Sequence, residues 1–135
     1  MRTLGILGGM SWESTAEYYR LINRGVAERL GGLHSARLLM HSVDFADVAA
    51  LQRAGDWRAA GALLGEAARQ LEQIGATGIV LATNTMHQVA GDIEAAITVP
   101  LVHIVDPTGD ALATDHVRRA VLLGTRYTME LPFWR

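Results

Sequence analysis

Cysteine is absent from the 135-residue chain. Disulfides, thiolate metal sites and thiol nucleophiles are therefore excluded within it. Lysine is absent too, and every basic side chain is arginine. A pyridoxal phosphate enzyme needs a lysine for its Schiff base. The P-loop motif likewise carries a lysine. Both are excluded for this chain alone. No apolar run approaches the ~20 residues of a membrane span. No excess of positive charge exists either: the formal net charge is −2, which argues against nucleic acid as a partner. Thr3 to Leu7 is too short for the apolar core of a signal peptide and runs straight into Gly8-Gly9, so a cytoplasmic location is expected.

What remains is a globular composition. Half of the residues are hydrophobic, and the length suits one domain with a sizeable core. Short apolar runs alternate with helical patterns. Thr3–Leu7 reads as a buried strand, turned by Gly8-Gly9-Met10-Ser11. The helix that follows carries Tyr18, Leu21, Ile22 and Val26 at helical spacing. Ser14 to Glu17 fits a capping box, and Ser11 competes as the N-cap. Gly31-Gly32 ends it. Ala36–Val43 is a second strand and Asp44–Ala54 a short helix. Asp56 caps a longer helix to Ile74, with Trp57, Ala60, Leu63, Leu64, Ala67 and Leu71 on one face. Gly78–Ala82 is a third strand, followed by a helix from Met86 to about Ala96. Leu101–Val105 is a fourth strand. Asp106-Pro107 reads as an N-cap and first-turn proline. Arg119–Gly124 is expected as a fifth strand, closed by the polar turn Thr125–Thr128.

Strands alternating with helices predict an α/β fold: a three-layer parallel sheet of doubly wound, flavodoxin-like type. Every polar turn follows a strand, so all of them gather on one sheet edge. Ligands of such sheets bind just beyond the carboxyl ends of the strands. The richest turn is Thr83-Asn84-Thr85, where hydroxyl, amide and hydroxyl converge on a strand-to-helix switch. One helix cap explains one of the three. The other two are free to hydrogen-bond an ammonium or carboxylate group. The turn at Gly8-Gly9 lacks the dinucleotide-binding spacing. It satisfies either a backbone demand for glycine or an anion site at a helix N-terminus. The five histidines show no metal-ligand spacing, so no metal is expected. His87 reads as a helix-surface residue, Arg37 and Gln52 as solvated positions, and Arg126 as part of a polar turn.

Four stretches together resemble the aspartate/glutamate racemase family. They are Gly5-Ile6-Leu7-Gly8-Gly9-Met10-Ser11, His41-Ser42-Val43-Asp44-Phe45, Ala82-Thr83-Asn84-Thr85-Met86-His87 and Leu122-Leu123-Gly124-Thr125-Arg126-Tyr127-Thr128-Met129. The match runs in order and spacing over nearly the whole chain. Within the family it is similar to the L-aspartate/glutamate-type and broad-specificity amino-acid racemases. The resemblance implies two similar α/β lobes with a cleft between them. It implies racemisation without cofactor or metal, by two opposed acid/base groups. Many relatives hold a thiol where this chain has Thr83; the branch it resembles carries threonine there. By position, Thr83 is the catalytic residue of the first lobe. Gly9, Met10, Ser11, Gln52, Thr83, Asn84 and Thr85 are the expected substrate contacts. The second cysteine of the family belongs to a further lobe. The resemblance thus assigns residues 1–115 to the N-terminal lobe and 116–135 to the start of a second one. Val121, Leu122, Leu123, Phe133 and Trp134 would expose apolar surface there, and a homodimer is expected. The alternative is a truncated or degenerate homologue that binds a small carboxylate, or only folds and dimerises, without turnover. A nucleotide-binding flavodoxin-like module is a third and weaker reading.

Overall fold

The structure, a computed structural model, describes residues 2–134. Four parallel strands make one sheet in the order β2-β1-β3-β4. They are β1 Leu4–Gly8, β2 Leu38–Ser42, β3 Ile79–Leu81 and β4 Leu101–Val102. Gly5 aligns with Leu39 on one side and Ile79 on the other, and Ile79 aligns with Leu101. The helices are α1 Trp12–Leu30, α2 Phe45–Ala54, α3 Trp57–Gln73, α4 Ala90–Ala96, α5 Val105–Thr114 and α6 Arg126–Glu130. The α/β fold expected from the alternation is the one observed. Because β2 and β3 flank β1 on opposite sides, the chain changes direction between β1 and β3. That is the topological switch point at which such sheets bind ligands.

The core lies on the α3 face of the sheet. Ala60, Leu64, Ala67, Ala68 and Leu71 of α3 pack with Leu7, Ile79 and Leu81 of the strands and Ile93 of α4. Each fully buried Leu or Ile contributes roughly 1.5–3 kcal/mol by removal from water. Trp57 and Leu63 pack against the same cluster, so the apolar face read for α3 is intact. The opposite face carries α1, whose only fully buried residue is Thr15. Leu21 of that helix stays exposed, as do Met40 and Val102 on the neighbouring strands.

Caps follow the short polar residues. Ser11 is the N-cap of α1 and accepts from the Ser14 amide, so the alternative box at Ser14 is not used. Asp44 caps α2 and Asp56 caps α3. Several expectations are corrected. The helix expected from Met86 is a 3₁₀ turn, Thr85–Val89, leading into α4. The turn at Asp106 is already inside α5, which begins at Val105 after Ile104. Pro107 is its third residue, where a helix amide has no internal partner to lose. The fifth strand does not form. Residues 119–124 are unpaired and solvent-exposed. Strand pairing needs a neighbour, and among the described residues no strand pairs with this run. The chain turns instead into α6, capped by Thr125. Phe133 and Trp134 are half-buried rather than exposed. Met1 and Arg135, the outer limits of the two expected lobe segments, lie outside the described residues. No described helix is long and apolar enough to cross a membrane.

Candidate functional site

A cavity of about 390 Å³ opens at the switch point, within the size range of small-ligand sites. Met10 and Ser11 reach it from the turn after β1. Ala82, Thr83, Asn84 and Thr85 reach it from the end of β3. Ser14 and Tyr18 of α1, Phe45 of α2, and Gly124, Thr125 and Thr128 complete the wall. The turns at Met10–Ser11 and Thr83–Thr85 converge here as the alternation implied, and Thr125 and Thr128 join them without the expected strand, while Asp106–Thr108 lies inside α5 and off the wall.

Thr83 lies at the limit of burial, 9% exposed. Its hydroxyl donates to the Met10 carbonyl at 3.4 Å, which ties the two central turns together. The lone pairs of a hydroxyl remain free when it donates. Asn84 is exposed and makes no capping bond through its side chain; its amide is available to a ligand. Thr85 is differently engaged. Its hydroxyl meets Thr125 Oγ1 at 3.0 Å and Thr128 Oγ1 at 3.3 Å. Thr125 and Thr128 close the triangle at 3.2 Å.

Two expected contact residues stand away from the cavity wall. Gly9 is buried, and its amide donates to Thr15 Oγ1 at 2.9 Å. Its φ is +95°, and a Cβ there would run into the backbone of Val43. Glycine is thus required by the backbone, and the amide is already spent internally. Gln52, on α2, donates its side-chain amide to Met86 Sδ at 2.9 Å instead of being solvated. Its backbone carbonyl accepts from the Tyr127 hydroxyl at 3.5 Å. Tyr127 in turn meets Trp57 edge-on at 5.6 Å. These contacts seat the segment around α6 against α2 and α3.

Tyr18, which the turn motifs do not mark, also lines the cavity. Burial raises its hydroxyl above the usual tyrosine range, so it stays protonated and can only donate or accept hydrogen bonds. Ser11, Ser14 and Tyr18 are spaced i, i+3, i+7. That spacing puts them on one helix face, which is the signal that would have found the tyrosine.

His87 is also not where the pattern put it. It is 2% exposed. Its Nδ1 lies 3.3 Å from the Asn84 carbonyl, and its Nε2 accepts from the Ile104 amide at 3.1 Å. His103 stands edge-on to it at 4.5 Å, and Phe133 stacks at 6.5 Å. Burial, and then the neighbouring His103, lower its pKa to about 4.

Among the described residues the wall carries no charged side chain. Its electrostatic bias comes from the N-terminus of α1 beside Ser11, whose dipole favours an anion. Hydroxyls, one amide and a positive helix end suit a small carboxylate-bearing ligand. Among the described residues no cluster of three or more His, Asp or Glu is placed to hold a metal ion.

The sequence profile described as Asp/Glu/Hydantoin racemase matches residues 7–135. A crystal structure from Yersinia pestis, assigned to the Asp/Glu racemases, is 53% identical, with a TM-score of 0.94 over 100% of this chain and 59% of its own. An aspartate racemase homologue from Pyrococcus horikoshii is 33% identical, with a TM-score of 0.87 over 99% of this chain and 58% of its own. The aspartate racemase of Picrophilus torridus is 17% identical, with a TM-score of 0.79 over 96% of this chain and 55% of its own. At that identity the likeness shows the fold. The chain spans less than two thirds of each of these structures.

Proposed function

The chain belongs to the Asp/Glu/hydantoin racemase family, and on that premise we propose that it carries one face of a cofactor-independent amino-acid racemase site. One observation carries the reading. Thr83 stands at the switch point, on the wall of a cavity whose described lining residues are all uncharged, between Met10 and the free amide of Asn84. In this reading Thr83 is the acid/base group of its face. It exchanges a proton with the substrate α-carbon from one side of the planar carbanion. Proton transfer requires the group to lie within hydrogen-bond reach of that proton. Asn84, Ser11 and the α1 N-terminus hold the α-carboxylate and ammonium groups. Met10, Tyr18 and Phe45 bound the space left for the side chain.

Racemisation needs a second group on the opposite face. We assign it to the part of the racemase fold that these longer structures have and this chain does not span, with residues 1–115 as one lobe and the following segment leading into the other. An alkoxide is much harder to form than a thiolate, so Thr83 is a weaker acid/base group than the thiol many relatives hold at its position. By itself the chain then binds a small carboxylate without turning it over.

The test is α-proton exchange in heavy water with both enantiomers of aspartate and glutamate. No exchange is expected from the 135-residue chain alone, and exchange is expected once a second lobe is supplied. Deuterium entering the α position with the chain alone would refute the one-faced reading. Exchange by a two-lobe form that survives Thr83→Ala unchanged would remove Thr83 from its role.

A further inference from the structure

The turn that presents Thr83, Asn84 and Thr85 is short and irregular. Asn84 has no capping bond of its own, and the 3₁₀ turn after it has weaker internal hydrogen bonding than an α-helix. The Thr83–Met10 and Thr85–Thr125 bonds hold it to the turn after β1 and to the start of α6. Among the described residues, the side chain that ties it to the connection after β4 is His87.

We infer that His87 is a positioning residue, a neutral imidazole clamp that fixes the Thr83–Thr85 turn against the start of α5. A single tautomer satisfies both of its bonds. With the proton on Nδ1, the ring donates to the Asn84 carbonyl and leaves Nε2 to accept from the Ile104 amide, at 3.3 and 3.1 Å. The other tautomer sets N–H against N–H at Ile104 and lone pair against lone pair at Asn84, so both bonds fail. The doubly protonated ring loses the Ile104 bond. Phe133 stacks on the ring and His103 closes its edge. His103 is the titratable group that faces it, and a charge there opposes a charge on His87. Burial at 2% exposure removes the water that would otherwise replace either bond. An orphaned buried amide or carbonyl is costly, so the arrangement is held at both ends. Histidine is required because no other side chain donates and accepts at opposite edges of one rigid ring.

The link to catalysis rests on the reading of Thr83 above, but the clamp is testable without substrate. Nitrogen-15 NMR of the 135-residue chain reports the tautomer directly. His87 is expected as the Nδ1–H form at pH 7, unchanged to pH 5.5, with a slowly exchanging Ile104 amide. In His87→Phe, Ile104 exchange is expected to rise about tenfold, the ratio lost with one hydrogen bond of ordinary strength, and the Thr83–Thr85 amide resonances shift. His87→Gln, whose amide oxygen can accept from Ile104, should recover most of that protection. An Nε2–H tautomer, titration near the ordinary histidine value, or Ile104 exchange indifferent to both substitutions would each overturn the clamp. These readouts need no substrate. A two-lobe form that fails to exchange the substrate α-proton therefore overturns the racemase reading and leaves the clamp standing.

Discussion

The hydroxyl of Thr83 donates to the carbonyl oxygen of Met10 at 3.4 Å, across 73 residues of sequence. This bond joins the turn after β1 to the turn after β3, the two strands between which the sheet reverses order. It is long for an O–H···O bond, so it holds the hydroxyl loosely enough to be redirected. Thr83→Val keeps the shape and removes the hydroxyl. Its unfolding free energy should fall by no more than about 1 kcal/mol, measured by urea titration. In a two-lobe form that exchanges substrate protons, the same change should abolish exchange with one enantiomer at least. A large stability loss with exchange retained would reverse the assignment.

Gly9 and Gly91 should respond to alanine with opposite signs. Gly9 sits at φ +95° with the Val43 backbone where a Cβ would go. Strain and clash together should cost about 2–4 kcal/mol. Gly91 lies exposed in the first turn of α4, with open space around it. Alanine there removes backbone freedom from the unfolded chain and should stabilise by about 0.5–1 kcal/mol. Thermal and urea unfolding of both variants gives the comparison. A tolerated Gly9→Ala would mean that the turn after β1 is not held as described.

How much of this was legible in the sequence follows from how local each cause is. Ser11, Asp44 and Asp56 cap helices through amides two or three residues away, so their roles were readable. The apolar face of α3 was readable for the same reason: its period is its own. Gly9 was readable as a required glycine, though not as one whose amide is spent on Thr15. His87 was not readable. Its burial depends on His103 and Phe133, which only the fold brings near. The run from Arg119 to Gly124 shows the converse. It has the composition of a strand, but pairing is a property of two strands, and no strand pairs with it among the described residues. Gln52 fails for a third reason: its amide meets a sulfur 34 positions away, a contact that no helix period announces.

Thr85, Thr125 and Thr128 form a hydroxyl triangle that pins α6 to the cavity wall. Thr128 is 1% exposed. Thr128→Val retains its volume and removes its hydroxyl from the triangle, while Thr85 and Thr125 keep their own bond. The loss should be about 1 kcal/mol and should be local. Hydrogen exchange of residues 125–134 should quicken, with β1 and α3 unaffected. Uniform quickening across the chain would show that α6 belongs to the main cooperative unit.

Stability should depend on pH through His87. In the folded chain its pKa is lowered to about 4, by burial first and by His103 second. In the unfolded chain it titrates near ~6.5. Between those values the unfolded state binds more protons, so stability rises with pH in this window. It is fully present above about pH 6.5 and falls as the pH drops towards 4, with about 2 kcal/mol lost by pH 5. His87→Phe fills the same place with a ring that cannot titrate. It should be less stable than the parent at pH 7, where the two clamp bonds are missing, yet lose less on acidification. The measurement is the difference in urea midpoint between pH 7 and pH 5 for the two proteins, which cancels the carboxylates they share. Parallel pH dependences would place the charge sensitivity elsewhere. A shallower dependence in the phenylalanine variant would locate it in the ring that joins Asn84 to Ile104.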